Sequence, residues 1–206
     1  MRRILSDYKM IMEEIKPFKE LTDDYFVGNF GSTEATDILL KNCQRNFPDD
    51  SNNLVEATIH DSERDLERRQ CKTACIPTNQ FNFIEHGFKK IIDNVNKLKW
   101  KMDLKNEWES NIQYTRYIGE GKFYNWHQDS YPEETHIGLH RKLTIVYCLS
   151  HKTDYEGGEF EVRRSDKSVY TRKFDYGDFI VFPATRLHRV KPLKSGNRTT
   201  IVGWYM

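Results

Sequence analysis

The spacing of apolar positions changes along the chain, and the change falls near residue 98. Ile4, Tyr8, Ile11, Met12 and Ile15 recur at helical intervals and predict an amphipathic helix that ends near Pro17. A short strand-like run, YFVGNF, follows at 25–30. The segment GSTEATDILLKNCQRNF (31–47) carries a Ser32 or Thr33 cap, acidic first-turn residues and an apolar face at Ile38, Leu39 and Cys43, so it predicts a second helix. FNFIEHGFKKIIDNVNKL (81–98) predicts a further helix, with Ile84, Phe88, Ile91, Ile92 and Val95 on one side. Between them, RRQCKTACIP reads as a strand, and the polar stretch 49–69 reads as an exposed excursion.

Beyond residue 98 the pattern alternates with period two in short runs separated by Gly, Asp, Asn and Ser: KWKMDL, NIQYTRYI, KFYNWHQDS, RKLTIVYCLS, GGEFEVRR, SVYTRKF, DFIVFP, LHRVKPL and RTTIVGWYM. Many short strands with turns at close intervals predict a sandwich or barrel, with the helices covering one outer face. The expected fold is therefore mostly β with supporting helices. A chain of 206 residues that is 37% apolar fits one domain spanning 1–206, with 1–110 as helical and strand support and 111–206 as the β core.

Charge narrows the partners. Lys and Arg total 32 against 31 Asp and Glu, so no bulk field draws the chain to nucleic acid or a membrane surface. Asp7, Lys9, Glu13 and Glu14 interrupt the N-terminal apolar residues, which argues against a signal peptide or a membrane span. Four irregularly spaced cysteines fit a reducing, cytoplasmic compartment. Cys71 and Cys75 could form half of a zinc site, but no second ligand pair follows at zinc-like spacing, and core cysteines are the better reading.

The candidate chemistry begins at YNWHQDS (124–130). On a strand, His127 and Asp129 point to one face, roughly 7 Å apart along the backbone, and Gln128 points away. Alone, His-x-Asp is a weak signal. His188 adds a second imidazole, and two imidazoles with one carboxylate make the facial triad that suits Fe(II) and leaves coordination positions open. The reading has His188 at the start of one strand, a turn at KSGN, and Arg198 at the start of the next. Arg198 needs a reason to point inward beside a metal, and a carboxylate-bearing cosubstrate supplies one. Thr200, Val202 and Trp204 share its parity.

The segments RYIGEGKFYNWHQDS, RKLTIVYCLS, DYEGGEFEV and YGDFIVFPATRLHRVKPLKSGNRTTIVGW, in that order, resemble the Fe(II)- and 2-oxoglutarate-dependent dioxygenases, in particular their prolyl 4-hydroxylase-like branch of bacterial and phage hydroxylases. The resemblance covers about residues 112–205. It implies a double-stranded β-helix, the cupin-like jelly roll, with N-terminal helices packed on one sheet. It assigns His127, Asp129 and His188 to the catalytic iron, and Arg198 to the distal carboxylate of 2-oxoglutarate. Tyr117 and Thr200 join Arg198 on the cosubstrate. Tyr124, Arg141 and Trp204 fall at positions on the substrate side, while Gly157 and Gly158 form a turn into a core strand.

The implied reaction is hydroxylation of an unactivated C–H bond with O2, releasing succinate and CO2, with ascorbate as an optional reductant. The expected substrate is a proline-containing peptide or protein, the alternative being a free amino acid or other small molecule. Two readings from other classes are a non-catalytic jelly-roll metal-binding protein and a cupin-like isomerase or hydrolase, which would not need Arg198. There is one departure from the family pattern. Some relatives reach the cosubstrate with a second tyrosine from the strand at 141–149, where this chain has Cys148, with Tyr147 on the opposite parity. Substrate choice is expected to rest on 130–140 and 49–69, and His136 and His140 in the former are assigned no role.

Overall fold

The computed structural model describes residues 20–30, 33–58, 65–77, 82–105, 111–130 and 141–206. The helix predicted at 4–15, and His136 and His140, lie outside the described residues.

Chain order begins with strands β1 (Glu20–Leu21) and β2 (Phe26–Asn29), helix α1 (Thr33–Asn46), and strands β3 (Val55–Glu56), β4 (Arg69–Gln70) and β5 (Lys72–Pro77). Helix α2 (Asn82–Val95) then runs into a π-helical turn, Asn96–Trp100. The remainder is strand: β6 (Asn111–Ile118), β7 (Phe123–His127), β8 (Leu143–Cys148), β9 (Tyr155–Gly157), β10 (Phe160–Arg163), β11 (Val169–Arg172), β12 (Asp178–Pro183), β13 (His188–Val190) and β14 (Leu193–Tyr205).

Two antiparallel sheets face each other, as the jelly-roll expectation requires. The larger, nine-stranded sheet runs β1-β2-β12-β8-β14-β6-β5-β3, with β9 joined to β14, and the smaller runs β11-β10-β13-β7-β4. Alternation sorts the side chains of the large sheet into two cores. On its outer face, Ile112, Tyr114, Leu143, Ile145, Tyr147, Phe179, Val181, Ile201 and Tyr205 pack with Leu39 and Cys43 of α1 and with Phe88, Ile91, Ile92 and Val95 of α2. Between the sheets lie Tyr117, Val146, Cys148, Tyr155, Phe160, Val162, Ile180, Phe182, Val190 and Leu193. The helices thus cover one face and leave the other to the site. Among the described residues, no helix is long and apolar enough to cross a membrane.

Three expectations are corrected. KWKMDL is not a strand: the π-helical turn closes through Lys101, left-handed at φ 52°, whose N–H donates to Asn96 O, and the Asn96 side chain binds Met102 at both its N–H and its carbonyl. Ile38 is 38% exposed, and Thr36 takes the buried position instead, hydrogen-bonded to the Tyr147 hydroxyl at 2.5 Å. KSGN is not a turn between strands, because β14 runs unbroken through it; Lys191 and Pro192 interrupt the strand without reversing it, since β13 and β14 continue in one direction antiparallel to β10 and β9. Gly196 bends the strand at φ +77°, and a Cβ there would lie 2.0 Å from Asp154 O.

Candidate metal centre

His127 ends β7 and His188 begins β13, two neighbouring strands of the small sheet in which these residues stand opposite each other. Their ring centroids are 4.0 Å apart. Asp129 follows two residues after β7, held by its own N–H donating to Ala184 O at 2.9 Å. Its Oδ1 lies 3.7 Å from His127 Nε2 and its Oδ2 3.5 Å from His188 Nε2. One donor atom from each of the three residues lies within 4.8 Å of the others, and no other such cluster occurs among the described residues. The zinc half-site considered at Cys71 and Cys75 gains no third ligand: Cys71 is buried and Cys75 exposed.

The surroundings prepare these atoms for a cation. His127 Nδ1 faces Asn125 O at 2.8 Å and His188 Nδ1 faces Arg186 O at 2.9 Å. A ring nitrogen that donates to a carbonyl carries the proton, so both Nε2 lone pairs face the centre, the arrangement that metal-bound histidines use. Burial, together with the neighbouring His188, holds His127 well below the ordinary value of 6.5, which keeps it a neutral ligand. Burial would raise the Asp129 carboxyl, but His188, His127, the Thr144 hydroxyl and Arg141 outweigh it and hold it below the ordinary range. Thr144 Oγ1 donates to Asp129 Oδ2 at 2.7 Å.

Arg198 is only 1% exposed, and it has no carboxylate partner among the described residues. Its Nε and Nη2 have no hydrogen-bond partner among the described residues. These two nitrogens lie on one edge of the guanidinium, the edge that grips a carboxylate with parallel N–H groups. An orphaned buried cation costs several kcal/mol unless an anion meets it. The donor set and this free edge therefore fit Fe(II) and a dicarboxylate cosubstrate together.

The other residues singled out from sequence also gather here. Tyr117 pairs with Arg198 across β6 and β14, and the guanidinium carbon lies 5.4 Å from its ring centroid. Thr200 is 2% exposed and pairs with Cys148 on β8. Arg141 lies 3.9 Å over the Trp204 ring and donates to Asp129 O at 3.4 Å. Trp204 is half-buried, not core, and its indole Nε1 has no hydrogen-bond partner among the described residues.

Tyr124 stacks on His127 at 3.4 Å, a contact that strict alternation forbids for residues three apart. The register resolves it: Val190 faces Tyr124 while His188 faces His127, so β7 carries one extra residue, a bulge that turns both rings to the same side. Arg69, buried and absent from the sequence reading, covers the far face of Tyr124 at 4.4 Å and donates to Gln113 Oε1 at 2.7 Å. Thr144 was also missed. Its signal was available, since it shares the inward parity of Cys148 on β8.

Similarity to known proteins agrees with this geometry. Residues 112–206 match the model of the 2OG-Fe(II) oxygenase superfamily. A PKHD-type hydroxylase of Prochlorococcus marinus (strain MIT 9515) is 42% identical over 64 residues, covering 30% of this chain and 28% of that protein. A PKHD-type hydroxylase of Synechococcus sp. (strain CC9902) is 37% identical over 89 residues, covering 42% of this chain and 36% of that protein. The matches thus span about a third of the length of these curated relatives. Among solved structures, a prolyl hydroxylase from Trichoplax adhaerens, in complex with a hypoxia inducible factor oxygen degradation domain peptide fragment, shares the fold at TM-score 0.76 and 16% identity, covering 100% of this chain and 93% of that one. A Pseudomonas putida prolyl-4-hydroxylase does so at TM-score 0.66 and 14% identity, with 97% of each chain covered. Over residues 112–206 the chain is thus similar to the 2OG-Fe(II) oxygenase superfamily, and its fold is the one these prolyl hydroxylases share.

Proposed function

We propose that this protein is an Fe(II)- and 2-oxoglutarate-dependent dioxygenase that hydroxylates a peptidyl proline. The observation that carries the reading is the pairing of the His127–Asp129–His188 cluster with the unpartnered edge of buried Arg198 on the same interior. A metal enzyme without an acidic cosubstrate has no use for that edge. The alternative substrate, a free amino acid or other small molecule, would use the same iron and cosubstrate residues.

In this reading, His127 Nε2, His188 Nε2 and the Asp129 carboxylate hold the iron, with Thr144 and the two backbone carbonyls fixing their orientation. Iron with bound 2-oxoglutarate supplies the oxidising chemistry with O2, yielding succinate and CO2, and ascorbate serves as an optional reductant. Arg198 fixes the distal carboxylate, Thr200 and Tyr117 line the cosubstrate, and the apolar walls Phe160, Phe182 and Val190 exclude bulk water from the iron. Tyr124, Arg141 and Trp204 form the substrate side. Trp204 Nε1 is a shielded donor with no acceptor among the described residues, suited to a backbone carbonyl of a bound peptide. The peptide bound to the Trichoplax adhaerens prolyl hydroxylase supports that choice over a small molecule. All four cysteines are free, which supports a reducing, cytoplasmic setting. We take the chain to act as one catalytic unit, without a nucleic-acid or membrane partner.

The test is an anaerobic titration of apo-protein with Fe(II) and then 2-oxoglutarate, followed by oxygen and proline-containing peptides. A visible charge-transfer band of the chelated keto acid, then succinate released in step with a hydroxylated peptide, is the expected result. Iron binding without the band would overturn the cosubstrate reading. A band and succinate release with free amino acids but with no peptide would transfer the substrate to the small-molecule class.

A further inference from the structure

Cys148 ends β8 facing the space between the sheets, while the phenol of its neighbour Tyr147 packs on the opposite side of the sheet. Its Sγ points to Ser150 O at 3.4 Å and to Phe174 O at 4.0 Å. The same Phe174 carbonyl accepts the hydroxyl of Tyr155 at 2.7 Å, and Tyr155 is only 4% exposed. A phenol from β9 therefore ends beside the side chain of Cys148, in the volume that the β8 position would address.

Tyr155 also adjoins Arg198. A Cβ on Gly158 would lie 3.3 Å from Tyr155 Cδ2 and 3.4 Å from Arg198 Cδ, so the ring and the arginine stem meet over that glycine. Gly158, at φ +63°, leaves room for them. Burial pushes the Tyr155 phenol up to about 12, while the nearby charge of Arg198 acts in the opposite direction. The phenol is thus neutral, with its proton committed to Phe174 O and an oxygen lone pair left for the guanidinium.

We propose that Tyr155 is a positioning residue for Arg198: its phenol oxygen accepts Nη1–H and thereby aims the free Nε and Nη2 edge at the distal carboxylate of the cosubstrate. The pairing of β9 with β14 through Leu193 and Gly157 fixes the approach. The inference deepens the cosubstrate reading of Arg198 and rests on it.

The test compares wild type with Tyr155→Phe, which keeps the ring and removes the oxygen. Fe(II)-loaded proteins are titrated anaerobically with 2-oxoglutarate and with 2-oxopentanoate, which has the same keto-acid end and a methyl terminus. The variant is expected to raise the Kd for 2-oxoglutarate about tenfold, while its weaker binding of 2-oxopentanoate matches wild type. Unchanged control binding also shows that the variant is folded at the site. Equal affinity of both proteins for 2-oxoglutarate would overturn the proposal, and so would a parallel loss of both keto acids, which marks a packing defect. Absence of the band in wild type would instead overturn the underlying cosubstrate reading.

Discussion

A guanidinium whose Nε and Nη2 are buried without acceptors is tolerated only if something anionic meets it, and that asymmetry makes Arg198 the most testable side chain in the protein. Arg198→Met should raise the Kd for 2-oxoglutarate on the order of 100-fold or more, with Fe(II) affinity unchanged, as read from the charge-transfer titration. Arg198→Lys should recover only part of the loss, because an ammonium offers a point charge in place of a paired edge. Thr144 bears on the proposed metal site instead: its hydroxyl fixes one carboxylate oxygen of Asp129. Thr144→Val preserves shape and should weaken Fe(II) binding about 10- to 100-fold in a competition titration against a chelator. The identity and inward parity of both residues were legible from alternation. Which nitrogens of Arg198 would be free was not, because that depends on Tyr155 and Gly158, brought beside it by a separate strand.

Whole strands follow the same division between what pattern reveals and what pairing decides. The alternation of NIQYTRYI matches β6, Asn111–Ile118, residue for residue, because a strand with one face in each core must alternate. KWKMDL alternates too, yet forms no strand: Lys99 and Trp100 finish the π-helical turn that continues α2, 101–104 are irregular, and Asn96 ties Met102 to the turn. The bulge in β7 was invisible for a related reason, since it is a mismatch with β13 and has no sequence of its own. Gly196 is the equivalent case in β14. A side chain there meets the Asp154 carbonyl and a backbone at φ +77°. Gly196→Ala should therefore destabilise the fold by about 2–4 kcal/mol, from a left-handed conformation and a steric overlap combined, measured as a lower urea midpoint. Because β9 pairs at this point, the folded fraction should also bind 2-oxoglutarate more weakly.

At the scale of the whole molecule, the large sheet separates a structural face from a chemical one. Phe88 of α2 packs on Phe30 and Tyr147, on the side of the sheet away from the metal ligands. Phe88→Ala should lower stability by about 3–5 kcal/mol while leaving the Kd for 2-oxoglutarate of the folded protein within twofold. The chemical face responds to pH instead. His127 has its folded pKa depressed below the ordinary 6.5 by burial, so above about pH 6.5 it is neutral in both states and contributes no pH dependence. As pH falls through 6.5 toward the folded value, the unfolded chain binds the proton first and apo-protein stability declines. Asp129 acts in a lower window: its depressed folded pKa contributes stability above the ordinary 3.8 that disappears as the carboxylate protonates in the fold. Urea midpoints of the apo-protein should therefore fall between pH 7.5 and 5.5, and His127→Gln should flatten that slope while Asp129→Asn should not. A slope unchanged in His127→Gln would assign the decline to other groups and show that burial costs the protonated imidazole little.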